Sequence, residues 1–120
     1  DPQLKGKRRA KARELATSRP RLMDAVLQAD VVVTNPTHYA IAIKYDPVAG
    51  GAPRVLAKGI RKRALAINAL AIEKGVPTVE DRPLARALYA AVPEGSEIPE
   101  TLYAAVATIL AEVYRKRGKG

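Results

Sequence analysis

The sequence predicts an α/β fold: a small mixed four-stranded sheet surrounded by about four helices, the first of them an N-terminal linker helix. Two observations predict it. β-branched stretches at 31–34, 39–45, 54–58 and 76–80 interleave with segments at 61–74, 82–91 and 99–117 whose apolar residues recur at helical spacing. The composition fits one packed domain. The chain has 120 residues, 48 % of them apolar but only 4 % aromatic, all five Tyr, so the core rests on Ala, Val, Leu and Ile.

Each element has its own signal. Residues 3–28 read as helical, with Leu15, Leu22 and Val26 at mixed helical spacing and Pro20 interrupting the run, so the first half acts as a linker. Asp30 precedes Val31-Val32-Val33-Thr34, and in 39–45 Ile41 and Ile43 alternate with Ala42 and Lys44. Between these strands, Asn35-Pro36-Thr37-His38 has the chemistry of a tight turn, with Asn at its first position and Pro pre-set at the second. Asp46-Pro47 and Gly50-Gly51 mark a loop, 54–58 a third strand, and Gly59 its end. The helix over 61–74 is amphipathic on Ile60, Ala64, Ile67 and Ala71 with Leu70 flanking, and Gly75 stops it. After the short strand 76–80, Asp81 is the N-cap of a helix through residue 91 whose first turn tolerates Pro83. Pro93, Gly95 and Ser96 break the chain before a last helix, from 99 to about 117, that buries Leu102, Val106, Ile109, Leu110 and Val113.

The net charge of +9 lies at the ends of the chain. Residues 1–21 hold eight basic and two acidic side chains and the C-terminal 115–119 four more basic ones, leaving the body nearly neutral. Three readings of the basic arm at 5–21 stay open on charge alone: a solvated helix, a contact with anionic polymer such as nucleic acid, or a segment lying beside anionic lipid. No aromatics interleave with the charges, which argues against a stacking platform for single strands.

Several classes are excluded. Zero Cys removes disulfides, thiolate nucleophiles and Cys-based zinc sites, and a lone His leaves no His-rich metal site, so neither metal nor cofactor is expected. There is no P-loop or GxGxxG, and Ser18 and Ser96 with one His make no triad. Glu80-Asp81 reads as a cap rather than an acid/base pair. No apolar run reaches the roughly 18 residues that span a bilayer, and no secretory pattern opens the chain, so this piece is expected to be soluble.

Asn35-Pro36 carries a specific chemical possibility. Deamidation of Asn needs the next residue's backbone nitrogen as nucleophile, and Pro36 has no N–H to lose. The remaining route is attack by the Asn35 side-chain nitrogen on its own main-chain carbonyl, closing a succinimide and expelling the Pro36 nitrogen. Because an amide is a poor nucleophile, the turn must hold a near-attack geometry and a group must move protons. His38 is the residue for that, and Thr37 is assigned a supporting role through its hydroxyl or its backbone N–H at the oxyanion. Such scission is a single-turnover event rather than enzymatic turnover; an ordinary hydrolase using His38 is the rival enzyme reading.

Asn35-Pro36-Thr37-His38-Tyr39-Ala40 following Val31-Val32-Val33 resembles the self-cleaving signature of the FlhB/YscU family. Asp1-Pro2-Gln3-Leu4-Lys5-Gly6, Ala52-Pro53, Val76-Pro77-Thr78, Pro83-Leu84-Ala85-Arg86-Ala87-Leu88-Tyr89 and Leu102-Tyr103-Ala104-Ala105-Val106 fall in the family's order, and the last two are more similar to the flagellar branch. The resemblance implies an excised cytoplasmic domain that follows membrane-spanning helices, on the cytoplasmic face of the bacterial inner membrane, within the flagellar type III export gate. Residues 1–28 become the juxtamembrane linker and helix, 29–117 the self-cleaving domain and 118–120 a tail. It further implies cleavage between Asn35 and Pro36 into fragments that stay associated, and a switch of export from rod and hook subunits to filament-class substrates, in concert with a hook-length control protein. The implied partners are the chain's own cleaved fragment, other export-gate proteins, those exported subunits and the membrane, with no nucleic acid. Ala52, Pro53, Ala107 and Leu110 match an apolar surface that the family offers to export substrates. The alternative class is a nucleic-acid-binding module using the arm at 5–21.

Overall fold

The computed structural model describes residues 21–36, 38–48 and 50–118. The order is α1 (21–28), β1 (Val31–Asn35), β2 (Tyr39–Lys44), β3 (Arg54–Ile60), α2 (Lys62–Lys74), β4 (Thr78–Glu80), α3 (Arg82–Ala91), a 3-10 turn at Glu100–Leu102, and α4 (Tyr103–Gly118). The α/β class and the mixed four-stranded sheet are as the sequence predicts. The expected linker over 1–20 lies outside the described residues. None of the described helices is long and apolar enough to cross a membrane.

The sheet order is β3-β2-β1-β4, with β1 antiparallel to β2, β2 antiparallel to β3, and β4 parallel to β1. Because successive strand side chains point to opposite faces, the run Val31-Val32-Val33 feeds two cores at once. Val31, Val33, Ile41, Ile43 and Val55 pack against Leu84, Ala85 and Leu88 of α3 and Val106, Ile109, Leu110 and Val113 of α4. Val32, Ala40, Ala42 and Ala57 pack on the other face against Leu22 and Val26 of α1 and Ala64, Ile67, Leu70 and Ala71 of α2. Helices therefore cover both faces, and β1, paired on both edges, is buried along its whole length. The register between β2 and β3 shifts at Ala42/Ile43, so Ala42 faces Ala57 while Ile43 faces Val55. This bulge explains why Val55 and Ala57, two residues apart, serve opposite cores.

Helix punctuation follows the sequence signals closely. Gly75 closes α2 in the left-handed conformation at φ 72°, and its region returns a hydrogen bond from Val76 N–H to Ala71 O at 2.8 Å. Asp81 caps α3, its carboxylate accepting from Leu84 N–H at 3.1 Å with Pro83 in the first turn.

Several boundaries differ. β1 extends one residue to Asn35, β2 stops at Lys44, and β4 begins only at Thr78, because Pro77 contributes a carbonyl but no donor: Val32 N–H donates to Pro77 O at 2.9 Å. The last helix opens as a 3-10 turn and becomes α-helical at Tyr103. Gly59 does not end β3, which runs on to Ile60. The glycine is there for close approach: a Cβ at this position would sit 2.6 Å from Arg63 Cγ and 3.0 Å from the Arg63 carbonyl carbon. Ile60, assigned to the buried stripe of α2, is a strand residue and 40 % exposed. Beyond it, Arg61 adopts φ 51° with ψ −117°, a left-handed backbone that L residues rarely take, and α2 starts there without a side-chain cap.

On the periphery, residues 94–98 return alongside β3: Val55 N–H donates to Ser96 O at 3.0 Å, Gly95 N–H to Val55 O at 2.7 Å and Ile98 N–H to Pro53 O at 2.7 Å. Arg54 and Glu97 add an exposed ion pair at 3.2 Å.

Two stability changes are expected from these backbone features, read as shifts in the urea midpoint. Gly59→Ala destabilises by about 1–3 kcal/mol, since the new methyl must displace Arg63 at its root. Arg61→Gly stabilises by roughly 1 kcal/mol, the relief of a strained φ outweighing the added freedom of glycine in the unfolded chain.

Candidate functional site

The turn joining β1 to β2 brings the residues singled out from sequence to one end of the sheet. Asn35 is the last residue of β1 and pairs with Tyr39. His38 N–H donates to the Asn35 main-chain oxygen at 2.9 Å, closing the turn. Pro36 and His38 are exposed, whereas the Asn35 side chain is only 7 % exposed. Thr37 lies outside the described residues.

The burial of Asn35 follows from strand alternation. Val31 and Val33 face α3 and α4, so Asn35, the next residue in that row, faces α3 as well. It lines a cleft of about 360 Å³ together with His38, Arg82, Pro83 and Arg86. Arg82 and Arg86 of α3, together with the positive N-terminal end of that helix, thus border the cleft that Asn35 lines. Arg82 is partly offset by Glu80 at 3.9 Å. These α3 residues were not legible as site residues: they follow Asn35 by some fifty positions, and only the parallel pairing of β4 with β1 brings the start of α3 to the turn.

The main chain around the turn is held from three sides. Asp81 N–H donates to Thr34 O at 3.0 Å, tying the end of β1 to the β4–α3 junction, and Arg61 N–H donates to His38 O at 3.2 Å, tying the turn's far side to the start of α2. Thr34 Oγ1 donates to Tyr39 O at 3.0 Å across the hairpin and accepts from Asn68 Nδ2 at 3.0 Å. On the outer side, the rings of Tyr39 and Tyr89 lie 5.2 Å apart, and Lys58 Nζ sits 4.7 Å from the centre of the Tyr89 ring.

This arrangement has a definite chemical meaning. A carbonyl that accepts a hydrogen bond from a fixed N–H is polarised, and the same donor stabilises the oxyanion that nucleophilic attack creates. The described donor to the Asn35 carbonyl is His38 N–H; Thr37, to which the sequence assigns a supporting role through its hydroxyl or its backbone N–H, lies outside the described residues.

The second group of expected residues lies elsewhere. Pro53, Ala107 and Leu110 line an apolar groove of about 280 Å³, joined by Tyr45, Tyr103 and Tyr114. Ala52 is half-buried and is not part of the lining. The tyrosines were missed, although Tyr103, Ala107, Leu110 and Tyr114 recur at the spacing of one helix face. Tyr45 lies just past the end of β2 opposite the turn, so the groove and the turn are separated by the length of that strand, roughly 20 Å at about 3.3 Å per residue. Asp30 closes this end of the hairpin, its carboxylate accepting from Tyr45 N–H at 2.7 Å. Burial, and after it the Asp30 carboxylate, hold the Tyr114 phenol above its ordinary value.

A sequence model of the FlhB HrpN YscU SpaS family matches residues 1–113. The flagellar biosynthetic protein FlhB of Yersinia enterocolitica is 51 % identical over 120 residues, covering 99 % of this chain and 31 % of that protein. That of Bacillus subtilis is 47 % identical over 119 residues, covering 99 % of this chain and 32 % of its own. The chain thus spans about a third of the length of these curated relatives. The crystal structure of the cytoplasmic domain of FlhB from Shewanella putrefaciens superposes with a TM-score of 0.77 at 42 % identity, over 85 % of this chain and 81 % of that one.

The groove makes a pH prediction. A phenol whose pKa is raised by folding keeps its proton where the unfolded chain loses it. Its contribution to stability is therefore complete below about pH 10 and declines as pH rises through and beyond that value. A phenolate absorbance titration should show one late-ionising tyrosine that is absent from Tyr114→Phe.

Proposed function

Since this chain belongs to the FlhB HrpN YscU SpaS family, we propose that it is the cytoplasmic domain of a flagellar type III export-gate protein that cuts its own backbone between Asn35 and Pro36. The single observation that carries the reading is the buried Asn35 side chain, placed beside a main-chain carbonyl that already accepts a hydrogen bond from His38 N–H at 2.9 Å.

In the proposed reaction, Asn35 Nδ2 attacks the Asn35 carbonyl carbon and forms a five-membered succinimide. His38 N–H holds the oxyanion of the tetrahedral intermediate. The bond from that carbon to the Pro36 nitrogen then breaks. The proton lost from Nδ2 ends on the departing Pro36 nitrogen, with the exposed His38 imidazole as carrier. Pro36 contributes twice: it has no N–H through which the competing deamidation route would start, and its ring sets the turn. Arg82, Arg86 and the start of α3 favour the negative charge that develops on the acyl side. Water opens the imide, leaving a carboxylate on residue 35 and a charged secondary amine on Pro36. One event exhausts the chain, so this is self-processing and not turnover.

The cut need not unfold the domain. Residues 1–35 carry α1 and β1, and Leu22, Val26, Val31, Val32 and Val33 of this piece are buried in the two cores. At roughly 2 kcal/mol for each side chain, their burial stabilises the joined state by about 10 kcal/mol before chain entropy is counted. β1 also stays hydrogen-bonded to β2 and β4. Scission changes the turn alone: two new charges and freedom for residues 36–38.

In the intact protein the domain follows membrane-spanning helices, with the basic residues of 1–21 beside anionic lipid at the cytoplasmic face of the inner membrane. Export-gate proteins and exported rod and hook subunits are its partners, and the apolar groove at Pro53, Ala107 and Leu110 is the docking surface for exported chains. The altered turn then changes which class is accepted, from rod and hook to filament subunits, in concert with a hook-length control protein.

Intact mass analysis of the purified chain tests the reading. Wild type should give two species, residues 1–35 and 36–120, that co-elute on gel filtration and separate only in denaturant. Asn35→Ala should give one species, and His38→Ala should cut about tenfold or more slowly. Wild type that stays a single species after long incubation overturns it.

A further inference from the structure

Behind the turn, on the face opposite the Asn35 side chain, lie two polar residues in an otherwise apolar layer. Thr34 is 8 % exposed, and its neighbours in that layer are Val32, Ala40, Ala42, Ala64, Ile67 and Ala71. Its hydroxyl donates to Tyr39 O at 3.0 Å and accepts from Asn68 Nδ2 on α2 at 3.0 Å. The Asn68 Oδ1 atom is buried with no hydrogen-bond partner among the described residues. On packing grounds an aliphatic pair would fill this position without leaving a polar atom unsatisfied.

What the pair accomplishes is mechanical. The two residues flanking the turn, Thr34 before Asn35 and Tyr39 after His38, are joined by a side-chain hydrogen bond in addition to the strand pairing. Asn68 anchors that link to α2, while Asp81 N–H at 3.0 Å from Thr34 O anchors the same residue to the other helical layer. The Asn35 peptide is thereby fixed from its N-terminal side at one residue's distance.

We propose that Thr34 and Asn68 are positioning residues for the scission at Asn35–Pro36: they hold the end of β1 so that the Asn35 amide nitrogen meets its own carbonyl carbon. This rests on the self-cleavage reading. Ring closure by a weak nucleophile depends steeply on approach geometry, and a displacement of an ångström removes a large part of the rate. Neither residue touches the reacting atoms. Their polarity serves the geometry of the hairpin end, while the core around them tolerates apolar side chains.

The test uses the full 120-residue chain made by cell-free synthesis, with translation stopped and the residue 1–35 fragment followed by intact mass. Wild type and Asn35→Ala establish whether scission occurs. Thr34→Val, nearly the same shape without the hydroxyl, and Asn68→Leu are each expected to cut roughly tenfold or more slowly than wild type. Thr34→Ser, which restores the hydroxyl, is expected to cut within about twofold of wild type, and the Thr34→Val/Asn68→Leu double variant no slower than the slower single one, as for two parts of one device. Urea midpoints, measured in the uncut Asn35→Ala background, should be unchanged or raised for Asn68→Leu, which a merely structural role does not produce alongside slower scission. Wild-type rates in both single variants overturn the proposal, as does a wild-type rate in Asn68→Leu alone. A slowing that tracks lost stability and is not restored by Thr34→Ser overturns it too. An uncut wild type removes the self-cleavage reading and this inference with it.

Discussion

Strand β1 is the constraint on which the remaining structure depends. It is paired on both edges and covered on both faces, so every one of its side chains is committed to a layer by strand alternation. The alternation runs without a break from Val31 to Asn35, and its last two members are polar. Thr34 falls to the α2 side and Asn35 to the α3 side. A one-residue slip would exchange them, taking the amide out of its cleft and the hydroxyl away from Asn68. Register is thus set by Val and Ile burial several residues away, and the chemistry proposed at the turn would inherit that precision.

The parallel pairing of β4 with β1 has a second effect. It brings the C-terminal ends of β1 and β4 together, so the start of α3 opens beside the turn, as does α2 through the Arg61 to His38 hydrogen bond. The N-terminus of α3 with Arg82 and Arg86 borders the cleft that Asn35 lines, where the proposed scission would develop negative charge. The main chain is meanwhile braced from both layers, which is what a unimolecular ring closure by a weak nucleophile requires.

Much of this was legible in the sequence because local chemistry agreed with the global fold. The Val and Ile strands, Asp81 as cap, Gly75 as helix stop and the Asn35–His38 turn each have a short-range cause, and each sits where the pattern placed it. The misreadings have physical origins as well. Gly59 looks like punctuation, but its role is steric, to let Arg63 pass close to β3, and that is visible only once α2 has folded back. Ile60 fits a helical stripe by spacing, yet the strand continues through it. Arg82, Arg86 and Asn68 join the turn only through tertiary contacts, which no local pattern encodes. The groove residues Pro53, Ala107 and Leu110 do converge, while Ala52 stays outside the lining and three tyrosines supply much of the wall.

The returning stretch at 94–98 covers the outer side of β3, and β4 at the opposite border is only three residues long. A nick between β1 and β2 therefore opens the chain at an end of the sheet, between two interior strands, and leaves no new row of unpaired amides along a flank. Many β-rich proteins that are clipped become seeds for strand exchange or fibrils. A domain severed at the turn as proposed would thus gain no fresh edge on which neighbouring copies could template.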